Sequence, residues 1–88
     1  MNIVLSGVLQ KHAQYQREHS LPAETVREAI ETLVERFPAI GSVLLDSGGQ
    51  LRKVHRLFLN GQQLSSEQVT SPVTDADRLE ILTAIAGG

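Results

Sequence analysis

One amphipathic helix is the feature that most constrains how this chain can fold. Thr25 and Glu28 fit a capping box, in which the Thr hydroxyl accepts a hydrogen bond from an amide of the first helical turn. The apolar residues then recur on one helical face, at Val26, Ala29, Ile30, Leu33, Val34 and Phe37. Pro38 ends the helix, because the residue before a proline is disfavoured in the α region. A single helix of about 13 residues needs a second surface on which to bury this stripe, and the rest of the sequence indicates a sheet.

Strand-like segments lie on both sides of the helix. We predict strands at residues 2–9, 54–59, 62–64 and 78–82, with a weaker edge strand within 15–20. Asn60-Gly61 predicts a two-residue hairpin turn, because both positions tolerate positive φ. The first and last strands are the most apolar, so we expect them side by side in the centre of the sheet.

The segments between the strands are shorter and more polar. Gly7 interrupts the first strand and predicts a bulge or a close backbone approach. Residues 39–46 fit a short second helix, and one helical turn fits residues 65–68. The predicted order is β-β-α-β-β-β, which corresponds to an α+β fold with the β-grasp arrangement of ubiquitin-like domains. We expect residues 1–82 to form this domain and residues 83–88 to form a flexible C-terminal tail.

The last strand continues into Thr83, Ala84, Ile85, Ala86, Gly87 and Gly88. Glycine lacks a Cβ and loses much conformational freedom on ordering, so a Gly-Gly end adds little to a fold. Two terminal glycines arise by chance in about 0.5% of chains. Placed after an apolar strand, however, they suit a peptide that is threaded, extended, into another protein's active site. We therefore expect the reactive group to be the main-chain carboxylate of Gly88, with Gly87 beside it and Thr83–Ala86 as a partner-binding tail.

Composition removes several classes of function. The 88 residues carry a net charge of −2, three aromatic residues and no cysteine. Disulfides, thiolate metal sites and a cysteine nucleophile are thus excluded, and a nucleic-acid partner is not supported. No run of 18 apolar residues predicts a membrane span, and Met1–Leu5 lacks the basic start of a signal peptide. We expect a cytoplasmic protein with neither nucleic-acid nor membrane partners.

The polar side chains form no recognisable catalytic or metal-binding pattern. His12, His19 and His55 are not at ligand spacing, and we predict that they are surface histidines. Asp75 and Asp77 fit a turn before the last strand better than a metal site. We expect no metal, no cofactor and no catalytic side chain in the chain itself.

Four motifs carry a family resemblance, and they follow one another in order along the chain. They are Thr25-Val26-Arg27-Glu28-Ala29-Ile30, Leu57-Phe58-Leu59-Asn60-Gly61, Asp75-Ala76-Asp77-Arg78-Leu79-Glu80-Ile81-Leu82 and Ala84-Ile85-Ala86-Gly87-Gly88. As a set they resemble the ubiquitin-like sulfur carriers. That family includes the small subunit of molybdopterin synthase, the thiamin-pathway sulfur carrier and the carriers used in cysteine synthesis. The chain departs from the family pattern at Thr83, where relatives often carry proline, and at His55-Arg56, which intrude before the apolar strand.

The resemblance implies chemistry at Gly88. An ATP-dependent adenylyltransferase of the ubiquitin-activating type would adenylate the carboxylate, and a sulfur donor protein would help convert it to a thiocarboxylate. A sulfur-accepting enzyme, such as a synthase large subunit, would then take the sulfur. The chain would be a protein co-substrate rather than an enzyme.

Three alternatives stay open at this point. The chain could be a dedicated small subunit of molybdopterin synthase, acting in molybdenum cofactor biosynthesis. It could be a ubiquitin-like modifier that is joined to target proteins through Gly88. It could also be an interaction domain with an inert tail.

A docking surface is predicted on the sheet face away from the helix. Phe58 and Leu82 should lie there, because they alternate with residues of the helix-facing side. Arg56 belongs to a basic cluster with Arg52, Lys53 and His55, which is either a solvated strand end or a patch for an acidic partner. We expect Phe58, Leu82 and Arg56 to form a partner-binding face, unless loops cover that side of the sheet.

Overall fold

The computed structural model describes residues 1–83 and forms one five-stranded sheet from them. The strands are β1 (Asn2–Leu5), β2 (Glu18–Ser20), β3 (His55–Leu59), β4 (Gln62–Leu64) and β5 (Arg78–Thr83). The α-helices are α1 (Gly7–Gln10), α2 (Val26–Arg36) and α3 (Pro38–Leu44), with short 3₁₀ helices at Lys11–Ala13 and Ser66–Thr70. None of the helices within residues 1–83 has both the length and the apolar character needed to cross a membrane.

The sheet places the first and last strands next to each other, as predicted. Its order is β2-β1-β5-β3-β4. β1 and β5 run parallel, with Asn2 opposite Arg78 and Leu5 opposite Ile81, whereas the other neighbouring strands are antiparallel. This arrangement confirms the α+β, β-grasp prediction and makes β5 the central strand.

The main helix begins where the capping signal predicts. Thr25 is the N-cap of α2, and its Oγ1 accepts a hydrogen bond of 3.1 Å from the amide of Glu28. The buried face of α2 carries Val26, Ala29, Ile30 and Leu33. It belongs to one aliphatic core with the inward residues of the sheet: Ile3, Leu5, Leu57, Leu79 and Ile81. The helix thus buries its stripe against the sheet, which hydrophobic burial favours.

The Asn60-Gly61 turn is also confirmed. Asn60 has a φ of 50° and Gly61 a φ of 86°, and Leu59 pairs with Gln62 across the turn. Both central residues therefore adopt the positive φ of a type I′ hairpin, whose twist matches that of the strands.

The predicted strand at residues 2–9 is wrong beyond Leu5. Ser6 is extended and precedes α1, so Gly7 begins a helix instead of forming a bulge. Leu9 and Ala13 are both buried in the core. A short apolar run does not by itself distinguish a strand from a helix, so periodicity alone could not place this boundary.

Candidate functional site

The sheet face away from α2 brings together the three residues predicted to bind a partner. Leu79 and Ile81 of β5 are buried, and Leu82 alternates with them, with 38% of its surface exposed. Arg56 lies directly opposite Leu82 on β3, and Phe58 is two residues further along the same strand. Phe58 is half-buried and Arg56 is exposed, so an apolar centre is open to solvent on this face.

Charged groups surround this apolar centre. Arg78 lies 3.9 Å from Glu18 on β2 and 3.9 Å from Glu80 on its own strand. Both pairs are solvent-exposed and contribute little to stability. The Nη1 of Arg56 donates to the carbonyls of Lys53 and His55, which holds the guanidinium near the start of β3. An apolar centre with a polar rim is typical of a protein–protein contact surface.

On the side where it pairs with β1, β5 extends beyond the end of that strand. β1 ends at Leu5, opposite Ile81, and the amide of Ser6 donates a hydrogen bond of 3.0 Å to the carbonyl of Ile81. A cavity of about 230 Å³ lies next to this point. Its walls are formed by Val4, Leu5, Ser6, Gly7, Gln10, Arg17, Glu80 and Leu82. Beyond its pairing with β1, β5 therefore runs beside an open, partly charged recess.

On its β3 side, β5 is tied to a buried histidine. His55 pairs with Thr83, the last residue of β5, and is only 4% exposed. Its Nδ1 is 3.1 Å from the Thr83 hydroxyl, and its Nε2 is 2.8 Å from the carbonyl oxygen of Val43 in α3. β5 extends one residue beyond the predicted strand end at Leu82, and Thr83 belongs to the sheet.

The prediction of surface histidines is wrong for two of the three. His55 and His19 are both buried, whereas His12 is partly exposed. The Nε2 of His19 is 2.8 Å from the carbonyl oxygen of Gln16, and its ring meets the ring of Phe37 edge-on at 5.0 Å between centroids. Buried imidazoles are tolerated when their polar atoms are hydrogen-bonded. The two partners of His55 and the Phe37 ring beside His19 are far away in the sequence, so sequence spacing carried no signal for them.

The remaining predicted site residues lie outside the described residues. They are Ala84, Ile85, Ala86, Gly87 and Gly88. Their role at the reactive end of the chain stays a prediction.

The titratable side chains of residues 1–83 do not form a metal-binding cluster. No group of three or more His, Asp or Glu in this part of the chain could hold a metal ion. Asp77 instead closes the turn before β5, accepting from Asn60 Nδ2 at 2.9 Å and from the Thr74 amide at 2.7 Å. The Asn60 side-chain bond and then the Thr74 amide lower the pKa of Asp77 below its ordinary value of 3.8.

A second groove lies on the helix side of the molecule. Its volume is about 560 Å³. It is lined by Arg27, Ile30, Glu31, Leu45, Gly48, Gly49, Gln50, Leu51 and Val69. Among residues 1–83, none of those predicted to act in the function lines this groove.

Comparison with known proteins gives one family and one fold. The model of the ThiS family matches residues 3–88. No curated protein matches the sequence. A chain of the Amycolatopsis orientalis BexX/CysO complex superposes with a TM-score of 0.86 at 24% identity, covering 99% of this chain and 98% of that one. Small archaeal modifier protein 1 of Methanosarcina acetivorans gives 0.86 at 23% identity, with coverages of 99% and 94%. Urm1 of Sulfolobus solfataricus gives 0.76 at 17% identity, with coverages of 94% and 99%.

Proposed function

The chain belongs to the ThiS family of small ubiquitin-like carriers, and from that membership we propose that it carries sulfur as a thiocarboxylate on Gly88. The observation that carries the proposal is the position of β5. It is the central strand, paired with β1 on one side and β3 on the other, and the proposed reactive tail follows directly from its last residue, Thr83. A tail that starts from the best-anchored strand can be offered to a partner while the domain stays folded.

The proposed chemistry needs only the main chain of Gly88. A carboxylate is a poor electrophile, so one of its oxygens first attacks the α-phosphorus of ATP and releases pyrophosphate. A sulfide sulfur then attacks the acyl carbon, AMP leaves, and a thiocarboxylate remains. Because the chain has no cysteine, the sulfur comes from an external donor protein. Gly87 and Gly88 carry no side chains that would obstruct this approach.

The chain is a co-substrate in this scheme. Family members are carriers rather than catalysts, and three partners follow from the chemistry. They are an ATP-dependent adenylyltransferase of the ubiquitin-activating type, a sulfur donor and a sulfur-accepting enzyme. ATP consumption is consistent with the cytoplasmic location predicted from the sequence.

We assign docking of these partners to the face formed by Phe58, Leu82 and Arg56. Its support is the apolar centre at Leu82 and Phe58 with a basic group beside it. An apolar partner surface with acidic groups at its edge would complement it. The tail that follows Thr83, with Ala84, Ile85 and Ala86, would then run into the partner's active site as an extended peptide.

A second candidate is conjugation to other proteins through Gly88. It draws its support from the shared fold with a protein named as a small archaeal modifier. Conjugation needs the same adenylated carboxylate, but a lysine amine rather than sulfide attacks it. A third candidate, the small subunit of molybdopterin synthase, differs only in the enzyme that receives the sulfur.

Intact-mass measurement tests the proposal. The full chain is incubated with ATP, a sulfide source and an adenylating enzyme of the ubiquitin-activating type from the same genome. We expect the mass gain of one oxygen replaced by sulfur, dependent on ATP. A chain lacking Gly87 and Gly88 is the matched control, because the deletion leaves every described residue in place.

Each outcome has a distinct meaning. Sulfur on the full chain and none on the shortened chain supports the carrier. Adducts linked through an isopeptide bond to lysine would favour the modifier. No mass change with any such enzyme, together with normal activity of the shortened chain in cells, would overturn both.

A further inference from the structure

His55 joins three elements at the point where the tail begins. It is the first residue of β3, it is paired with the last residue of β5, and it contacts the last turn of α3. Both ring nitrogens are used, one by the Thr83 hydroxyl at 3.1 Å and the other by the Val43 carbonyl at 2.8 Å. A side chain that is 4% exposed and contacted at both nitrogens has a defined orientation.

The partners determine which nitrogen carries the proton. The carbonyl of Val43 can only accept, so Nε2 of His55 carries the hydrogen and donates it. In the neutral ring, Nδ1 is then an acceptor, and the hydroxyl of Thr83 donates to it. This assignment follows from the hydrogen-bonding partners.

The contact between His55 and Thr83 matters because β1 no longer pairs with β5 at Thr83. β1 pairs with β5 as far as Ile81, and β3 alone continues the pairing to Thr83 among the strands that the structure describes. The direction of the main chain at Thr83 is therefore set by its pairing with His55 and by the side-chain bond between them.

The other nitrogen connects this strand end to the helical layer. Val43 lies in the last turn of α3, where helical carbonyls have no partner within the helix. His55 supplies a donor to one of them. Thr83 is thus connected through His55 to α3 as well as to the sheet.

We propose that His55 is a positioning residue for the reaction at the C-terminus, fixing through Thr83 the place and direction in which the tail leaves the domain. This inference rests on the proposed function. His55 does not touch the reacting atoms; it limits the number of directions that the tail explores once the domain has docked. Ordering one additional residue in the docked complex corresponds to about a 5- to 30-fold effect on the rate.

Thr83→Val is the decisive variant, because it removes the hydroxyl while keeping the β-branched shape. We expect the kcat of adenylation to fall about 5- to 30-fold, with KM unchanged because the docking face is intact. Thr83→Ser keeps a hydroxyl and should stay close to wild type. His19→Leu is the matched control, since His19 is equally buried but lies on β2, at an edge of the sheet. It should lower the melting temperature without changing kcat.

Two NMR measurements test the link without any enzyme. Long-range ¹H–¹⁵N spectra of the wild-type chain should show hydrogen on Nε2 of His55. ¹⁵N relaxation of the backbone amide at position 83 should show an ordered amide in the wild type and a more mobile one in Thr83→Val. The amide should be as ordered in His19→Leu as in the wild type.

The results separate this inference from the proposed function. Hydrogen on Nδ1 of His55, or unchanged order at Thr83 together with unchanged kcat in Thr83→Val, would overturn the positioning role. A wild-type chain that no enzyme adenylates would contradict the proposed function, and the role of His55 in that reaction with it. The NMR results would still decide whether the link exists.

Discussion

Asp77 and Asn60 show how single side chains hold the end of the sheet opposite the tail. Asn60 donates to the Asp77 carboxylate, and its Oδ1 accepts from the amide of Arg78 at 3.0 Å. The turn between β3 and β4 is thereby joined to the first residue of β5. Because these donors favour the ionised carboxylate, they lower the pKa of Asp77.

Asp77 should make stability depend on pH in acid. A folded pKa below the ordinary 3.8 means that its contribution is present above 3.8 and is lost as pH falls through the lowered value. We expect Asp77→Asn to lose less free energy of unfolding than wild type between about pH 7 and about pH 3. Urea titrations at both pH values measure this difference.

The control is a carboxylate without this turn geometry. Glu35→Gln on the exposed side of α2 should keep the wild-type acid dependence. Equal acid dependence in Asp77→Asn and wild type would contradict the assignment.

At the scale of elements, two local sequence signals determine where the main helix begins and where the β3–β4 hairpin turns. Thr25 starts α2 so that its apolar stripe faces the sheet, and Asn60-Gly61 turns β3 back into β4. Both act through the backbone. Thr25 accepts a hydrogen bond from the Glu28 amide, and Asn60 and Gly61 adopt the positive φ angles of the turn.

The hairpin turn requires glycine for its backbone angle. At Gly61 an added Cβ would meet no described atom within 4 Å, but φ is +86°. Gly61→Ala should therefore lower the free energy of unfolding by about 1 kcal/mol through backbone strain alone. Gly7→Ala is the control, since Gly7 has similar open space and no positive φ, and it should be neutral or slightly stabilising. Equal effects of the two variants in chemical denaturation would refute this explanation.

The cap of α2 should contribute through its hydroxyl. Thr25→Ala removes the acceptor of the Glu28 amide and should cost about 1 kcal/mol of unfolding free energy. Thr25→Ser retains the acceptor and should recover most of that loss. Urea denaturation of the three proteins compares them, and a serine variant as unstable as the alanine variant would exclude the capping explanation.

At the scale of the whole molecule, the two faces of the sheet differ in what covers them. One face is covered by α2 and holds the core, whereas the other leaves Leu82 and Arg56 open to solvent. Because β5 contributes to both faces and leads into the tail, the core, the proposed docking face and the proposed chemistry all involve this one strand.

Docking should therefore be separable from folding. Leu82→Ala removes apolar area from the open face, and we expect it to raise the KM for the adenylating enzyme by about 10-fold, with kcat retained. Val69→Ala is the control, because Val69 is a partly exposed aliphatic residue that lines the groove on the helix side. It should leave KM unchanged. Steady-state kinetics with melting curves checks both variants, and equal KM values would remove Leu82 from the docking face.

Local signals were sufficient for much of this fold. The α2 stripe, the Thr25 cap, the Asn60-Gly61 turn and the apolar strands all act between residues close in sequence, so they determined the β-grasp order without coordinates. The face of Phe58 and Leu82 followed from the two-residue period of a strand. The Gly87-Gly88 end likewise indicated, through the family pattern, where the proposed chemistry lies.

Tertiary structure decided what depends on distant partners. The switch from β1 to α1 at Ser6 could not be derived from a short apolar run that fits either element. The burial of His55 depends on hydrogen-bonding partners that the fold supplies, because Val43 and Thr83 lie 12 and 28 residues from it, and the ring of His19 packs against Phe37, which is also distant in the sequence. A histidine is stable in the core only when such partners are present, and sequence spacing does not reveal them. The sequence therefore determined which strand leads to the proposed reactive end, and only the fold decided that a buried histidine contacts that strand's last residue.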